Sequence, residues 1–350
     1  MGIVWARQKG GAMASLGESR ANYRAKTVAT LCSKGGVGKS TLTAQILDNA
    51  ARFGLRVAGV DLDPNGSLSR MTGTLAPVGE ISIREVLEGS ITPQAATRKP
   101  LQWQPEVVAD RAWAKGGPLI PGGEVHIVPA PDRGLDAVTS RSGTEAEHAL
   151  FEAITTSGFG EYYDMIIVDP PASTASTFHL ALNAAQHLVF PLQTESAALS
   201  GLVLTIESAI KFSSSTGRPV NGIGVAATMM DGRTTEHTET LAAAKEWMQE
   251  KFHGQLPVLE PPVPRRTTVP EAGAEMLPVA RVARGSKGAQ LTAAYSAIAL
   301  AVVASVVPEK TDAIFDAFEA ADLPAELAEV VFANFRASED PSASLETPAN

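Results

Sequence analysis

The chain has 350 residues, 44% of them hydrophobic, and a formal net charge of −9. That length suits one large α/β domain with appendages or two small domains, and the charge argues against nucleic-acid binding over the whole surface. A single cysteine, Cys32, excludes intrachain disulfides and multi-cysteine metal or iron–sulfur sites and points to a reducing, cytoplasmic compartment. No apolar run reaches the ~20 residues a bilayer span requires; the longest, Ala293 to Val307, is interrupted by Tyr295, Ser296 and Ser305.

Residues 1–25 read as a flexible basic arm carrying Arg7, Lys9, Arg20 and Arg24, with no apolar signal core. A β-prone run, Thr27 to Cys32, then enters a glycine-rich turn, and a helix is expected from about Ser40. Gly35, Gly36 and Gly38 admit backbone conformations that a Cβ obstructs. Successive N–H groups can therefore cradle phosphate oxygens at the positive end of the helix. Lys39 would reach the β- and γ-phosphates of a nucleotide, and the Ser40 hydroxyl would ligate Mg²⁺.

The string Lys34-Gly-Gly-Val-Gly-Lys39-Ser-Thr resembles the deviant Walker A loop of the ParA/MinD family of ATPases. The resemblance implies a P-loop NTPase fold: a mostly parallel, doubly wound α/β sheet with helices on both faces. It implies ATP and Mg²⁺ as ligands, with Lys34, Gly35, Gly36, Val37, Gly38, Lys39, Ser40 and Thr41 around the phosphates. It also implies that Lys39 acts on its own subunit's nucleotide and Lys34 on the partner's, across an ATP-sandwich homodimer.

Helical spacing of Leu42, Ile46, Leu47, Ala50 and Phe53 continues the first helix, and Gly54 is placed to end it. Arg56 to Val60 is a continuous apolar strand, as expected of a parallel strand covered on both faces. It runs into Asp61-Leu-Asp63-Pro-Asn-Gly66, where two aspartates at spacing two share one face. This stretch resembles the family's switch I segment. By that resemblance Asp63 orients the attacking water, directly or through Mg²⁺ solvation, and Asp61 supports it from the magnesium side.

A surface helix pair is expected over 69–90, followed by an irregular, Pro- and Gly-rich insertion over 97–123. The insertion carries Trp103 and Trp113, which pack it onto the body or meet a partner; packing is favoured because burial usually dominates a tryptophan's role. Glu124 to Pro129 reads as a strand in which His126 is structural. Tyr163-Asp-Met-Ile-Ile-Val-Asp169 has the form of a Walker B strand, delivering the Asp169 carboxylate toward Mg²⁺ through a bound water. Asp164 at its start reads as a cap or a surface charge. The following Pro170-Pro171 is one residue short of the family's Asp-x-Pro-Pro.

Ala184 to Thr194 is another buried strand, leading to Glu195 and Leu199-Ser-Gly201-Leu, which is similar to the family's Pro-x-x-x-Glu…Leu-x-Gly-Leu element. Gly222 to Thr228 is a further strand. By resemblance Met230 and Asp231 after it, and Pro264 in Val263-Pro-Arg-Arg, border the adenine. A helix over 235–252 lies between them. The last helix of a 26–307 ATPase domain spans about 290–307.

Beyond Pro308 lies an acidic helical extension, 308–337, marked by Ile314, Phe315 and Phe318 and by Leu327, Val330, Val331, Phe332 and Phe335. It is either a hairpin packed on the body or a partner-docking element. Its acidic polar face argues against a membrane anchor. Residues 338–350 read as a disordered tail.

Together these residues describe ATP hydrolysis used as a switch. The resemblance is greatest to ParA-type partition ATPases, which implies a nucleoid-associated cytoplasmic protein, non-specific DNA binding by the ATP dimer and stimulation by a ParB-like centromere-binding partner. Arg265, Arg266, Arg281, Arg284 and Lys287 are the candidate phosphate contacts for DNA, or ordinary solvated charge. Alternatives are a positioning ATPase for a protein cargo such as carboxysomes, chemoreceptors or a division regulator. An amidating ligase-type ATPase is a third, for which no catalytic cysteine is evident.

Overall fold

The computed structural model describes residues 3–4, 25–105, 119–139, 143–172 and 176–320. Seven parallel strands form the sheet: β2 (Lys26–Thr30), β3 (Arg56–Asp61), β4 (Glu124–Val128), β5 (Met165–Asp169), β6 (His187–Gln193), β7 (Asn221–Thr228) and β8 (Val258–Leu259). An eighth, β1 (Ile3–Val4), pairs antiparallel with the start of β7. The order is β1-β7-β6-β2-β5-β3-β4, with β8 also on β7. Strand β2 is central. The chain winds from it to β3 and β4 on one side and returns to β6 and β7 on the other, so the topological switch point lies at its carboxyl end.

The longer helices are α1 (Lys39–Arg52), α2 (Thr144–Thr156), α3 (Ser176–Ala184), α4 (Ser196–Thr216), α5 (Thr235–Phe252), α6 (Gly285–Val306) and α7 (Thr311–Ala320). Because successive strand residues face opposite sides, β2 and β3 divide their apolar residues between two cores. Ala29, Ala58 and Val60 face the core containing residues of α2, α3, α4 and α5. Val28 and Val57 face the one built on α1, α6 and α7. The helices thus cover both faces of the sheet, and the α/β doubly wound fold expected of the sequence is the fold found.

Several local expectations resolve into particular contacts. Helix α1 ends at Arg52 with Phe53 as its C-cap, and Gly54 follows with φ 83°. The helices expected over 69–90 are short, Ser67–Met71 and Ile83–Leu87. The second is closed by a capping box in which the Ser82 side chain accepts from Arg84 N–H and Glu85 accepts from Ser82 N–H. In the insertion, Trp103 is fully buried and its indole N–H donates to Met276 O at 2.9 Å. Trp113 lies outside the described residues. Gly123 passes so close to α1 that a Cβ there would meet Ala51 O at 1.8 Å. His126 is held by Tyr163, with 2.9 Å between the hydroxyl and Nδ1.

Asp164 caps but is not a surface charge. It is 3% exposed, accepts Arg56 N–H at 2.8 Å and pairs with Lys310 Nζ at 3.1 Å. Helix α6 begins earlier than the sequence suggests. At 22 residues it is long and apolar enough by length and composition to cross a membrane, yet 67% of its apolar window is buried inside the protein. Ser296 Oγ, in its middle, donates to Asn49 Oδ1 of α1 at 2.6 Å. Helix α7 packs on the body through Ile314 and Phe318, whose ring meets Phe53 at 5.4 Å. The segment with Leu327 to Phe335 lies outside the described residues. So do residues 5–24 of the basic stretch, although its Ile3 and Val4 form the edge strand β1.

Candidate active site

The crevice opens at the carboxyl ends of β2, β5 and β3. Gly38 caps α1 in the left-handed region, φ 81° and ψ 22°. A Cβ at this position would also close to 3.4 Å from Met229 Cε. The loop is anchored on two sides by threonines. Ser33 N–H donates to Thr205 Oγ1 of α4 at 3.0 Å, with the two hydroxyls 2.7 Å apart. Thr228 Oγ1, at the end of β7, donates to Val37 O at 2.7 Å. Gly35 and Gly36 are exposed, Ser40 and Thr41 half-buried, and Val37 buried. The backbone of the loop is therefore held from behind with Gly35 and Gly36 open to solvent.

Lys39 and Asp169 meet beneath the loop. Lys39 Nζ lies 2.8 Å from Asp169 Oδ1, with the side chains 7% and 0% exposed. Thr43 Oγ1, one turn along α1, reaches the same oxygen at 3.4 Å and the Thr30 hydroxyl at 2.6 Å. Asp169 Oδ2 is buried and has no hydrogen-bond partner among the described residues. A buried carboxylate oxygen without a donor is costly. A hydrated Mg²⁺ bound to phosphate beside Ser40 would satisfy it, since Mg²⁺ usually takes one or two carboxylates, waters and phosphate oxygens rather than an all-protein cage. Consistent with that, no group of three His, Cys, Asp or Glu side chains suited to a metal occurs among the described residues.

Asp61 stands beside Asp169 in register between β3 and β5. Burial, then the neighbouring Asp169 charge, pushes its pKa up to about 7. Its oxygens are committed to the chain itself: Oδ1 accepts Asp63 N–H at 3.0 Å, and Oδ2 accepts Ser69 N–H at 2.8 Å and Ser69 O–H at 2.6 Å. Asp61 therefore pins the turn and the Ser67–Met71 helix. Asp63, 8% exposed, accepts from Asn65 N–H at 2.9 Å and Asn65 Nδ2 at 3.0 Å.

Lys34 is the half-buried lysine of the loop. Its Nζ is 3.7 Å from Glu195 Oε2, at the head of α4, with the side chains 31% and 36% exposed. The second wall of the crevice is Met229–Asp231. Met230 pairs with Pro264: its N–H donates to Val263 O at 2.9 Å and its carbonyl accepts Arg265 N–H at 2.8 Å. The Asp231 carboxylate is held below the ordinary carboxylate range by hydrogen bonds from the Arg233 side chain and backbone.

The basic residues lie on other segments. Arg265, Arg284 and Lys287 are exposed and Arg266 and Arg281 half-buried. Arg281 is already engaged, donating to Gln102 Oε1 at 2.6 Å and Gln102 O at 3.2 Å. Residues 173–175, after the shortened Asp-Pro-Pro, lie outside the described residues.

Sequence reasoning missed Thr43, Thr205, Thr228 and His237. Thr43 was within reach, because one helical turn separates it from Lys39. The other three come from strand ends and helices far along the chain and carry no local signal.

Comparison with known proteins identifies the family. A family model described as the CobQ/CobB/MinD/ParA nucleotide binding domain matches residues 28–279. The chain is 29% identical over 283 residues to the chromosome-partitioning ATPase Soj of Thermus thermophilus, covering 81% of this chain and 97% of that one. Cobyrinic acid a,c-diamide synthase of Mycobacterium smegmatis, with bound ATP analogue and magnesium, superposes with a TM-score of 0.59 at 27% identity, covering 80% of this chain and 95% of that one. A single-residue variant of McdA from Cyanothece, in complex with ATP, shares the fold with a TM-score of 0.63 at 17% identity, over 80% and 97% of the two chains. The chain belongs to the CobQ/CobB/MinD/ParA family of nucleotide-binding domains, on the ParA side of which its partition-type relatives lie.

Proposed function

We propose that this protein is a Mg²⁺-dependent ATPase whose ATP-bound homodimer binds DNA non-specifically and partitions it, with hydrolysis stimulated by a ParB-like partner. The observation that carries the reading is the division of labour between the two loop lysines. Lys39 is buried against Asp169, whereas Lys34 stands at the surface, where an amine can serve a neighbouring subunit's nucleotide.

Magnesium would neutralise charge on the β- and γ-phosphate oxygens. Ser40 and Asp169 are the residues that would hold it, Asp169 through water. The loop N–H groups and Lys39 bind and orient the triphosphate, and Asp63 holds the attacking water in line with the γ-phosphorus. Water oxygen bonds to that phosphorus as the bond to the β–γ bridging oxygen breaks. ADP and inorganic phosphate leave, and the water's protons pass to phosphate and solvent. Met230, Asp231 and Pro264 border the base. Arg265, Arg266, Arg284 and Lys287 contact DNA phosphates, and the protein works in the cytoplasm on the nucleoid.

Two observations bear on the alternatives. The engagement of Arg281 with Gln102 leaves a modest basic surface, which favours a protein cargo as the second reading. Amide transfer from glutamine needs a cysteine nucleophile with thiolate character. The chain's one cysteine, Cys32, is 4% exposed, and burial pushes its pKa up.

Gel filtration and DNA retention with ATP or ADP and magnesium test the proposal. Wild type is expected to dimerise and retain DNA with ATP only. Asp63→Ala should accumulate as dimer, and Lys34→Ala should bind ATP without turning it over. A wild type that is monomeric under every nucleotide overturns the reading. Equal DNA retention with ADP and ATP removes its DNA arm.

A further inference from the structure

The Met229–Thr234 loop leaves β7 beside the phosphate loop and is fixed on its outer side by Arg233. This residue's N–H, Nε and Nη2 all donate to the Asp231 carboxylate, at 3.1, 3.0 and 2.9 Å. Its inner side rests on one imidazole. His237, in the first turn of α5, is 6% exposed. Its Nδ1 lies 3.0 Å from Asp231 N and 3.0 Å from Thr194 Oγ1. A backbone N–H can only donate, so Nδ1 carries a lone pair and the neutral ring has its proton on Nε2. The Thr194 hydroxyl then also donates to Nδ1. Thr194 is fully buried at the end of β6, and its own N–H donates to Thr228 O at 3.3 Å. One ring nitrogen thus ties together the ends of β6 and β7 and the backbone of the Met230–Asp231 wall.

We infer that His237 is a positioning residue for the base of the nucleotide: as a neutral acceptor at Nδ1 it sets where the Met230–Asp231 wall stands relative to the phosphate loop. This rests on the reading that the wall borders the base. His237 touches no reacting atom, so its effect falls on nucleoside recognition and leaves phosphate binding untouched. The geometry also ranks replacements. An Asn carboxamide branches from Cγ and can present its oxygen near the position of Nδ1. A Gln carboxamide reaches one atom further and cannot without rearrangement.

Calorimetric titration of the full chain with Mg-ATP and with magnesium tripolyphosphate tests this. His237→Ala and His237→Gln are expected to weaken ATP roughly three- to tenfold, the range of one neutral hydrogen bond. Tripolyphosphate affinity should be unchanged, and His237→Asn should bind ATP within about twofold of wild type. ATP affinity unchanged in all three variants overturns the inference, as does an equal loss for tripolyphosphate or a failure of Asn to rescue. If wild type itself binds ATP no better than tripolyphosphate, the base-wall reading fails first and the inference falls with it. Thr194→Val covers the case in which a His237 variant does not fold. Losing one of two tethers should weaken ATP about twofold with tripolyphosphate unaltered, and no change in ATP affinity overturns the role.

Discussion

The phosphate loop and the basic segment before α6 share their local signals. Each leads into a long helix through a glycine in the left-handed region, Gly38 with φ 81° and Gly285 with φ 64°, and each carries cations beside that glycine. What surrounds them differs. The first loop sits at the centre of the sheet, where β5 supplies a buried carboxylate and β7 and α4 supply anchoring hydroxyls. The second lies at the periphery, where Arg284 donates to the nearby carbonyls of Arg281 at 2.6 Å and Ala283 at 2.9 Å. Burial forces a cation to find a particular partner, and the role follows from that partner. An exposed cation is satisfied by water and can serve any polyanion.

The comparison breaks most visibly at Lys39. Lys39→Ala removes one member of a buried pair and leaves Asp169 without its cation beside Asp61. Such losses cost on the order of 3–5 kcal/mol. Nucleotide titration should show ATP binding abolished, and urea unfolding should show the destabilisation. A variant as stable as wild type would mean that the pair is not formed in solution.

Trp103 tests whether the periphery is a built structure. Trp103→Ala removes a fully buried side chain between the insertion and Met276, at an expected cost of about 3–5 kcal/mol, read from the midpoint of denaturant unfolding. If the loss is small, the insertion is not packed as described.

Asp48 lies on α1, between the two regions. It is 1% exposed and neither carboxylate oxygen has a hydrogen-bond partner among the described residues. Burial raises it from 3.8 to about 7, opposed by Arg52 and Arg281. Because the folded value lies above the unfolded one, the native state holds a proton that the unfolded chain has released. Stability is lost as pH rises through that interval. The melting temperature of wild type relative to Asp48→Asn should therefore fall between about pH 4 and 7 and level off above. Parallel curves for the two proteins would place Asp48 in contact with water.

Arg284 gives the smallest effect. Arg284→Ala should change stability by less than about 0.5 kcal/mol. It should lower the salt slope of DNA retention by about one. An unchanged slope would remove it from the DNA surface and favour a protein cargo.

Much of the crevice was legible in one dimension because its parts are consecutive. A strand, a glycine loop and a helix form a phosphate cradle by local backbone geometry, and a run of apolar residues ending in Asp169 can only be a buried strand presenting a carboxylate at its end. Doubly wound topology was implied by the resemblance of the loop to the ParA/MinD family, and the continuous apolar strand Arg56 to Val60 between helices fits it. How Asp61 is held was not legible in this way: Asp63 N–H, Ser69 N–H and the Ser69 hydroxyl donate to its oxygens, and those bonds depend on how the next turn folds back.

Local pattern, with the family resemblance it carries, therefore determined the fold class, the phosphate loop and the strand-end carboxylates, since each motif depends on residues close enough in sequence to dictate one another's backbone. Tertiary structure decided which lysine is buried and which is only half-buried, that Trp103 straps the insertion to Met276, and that His237 and three threonines brace the walls of the crevice. These contacts join residues brought together only when β6, β7 and α4 pack around the central strand, where burial obliges each polar group to take whichever partner lies within reach.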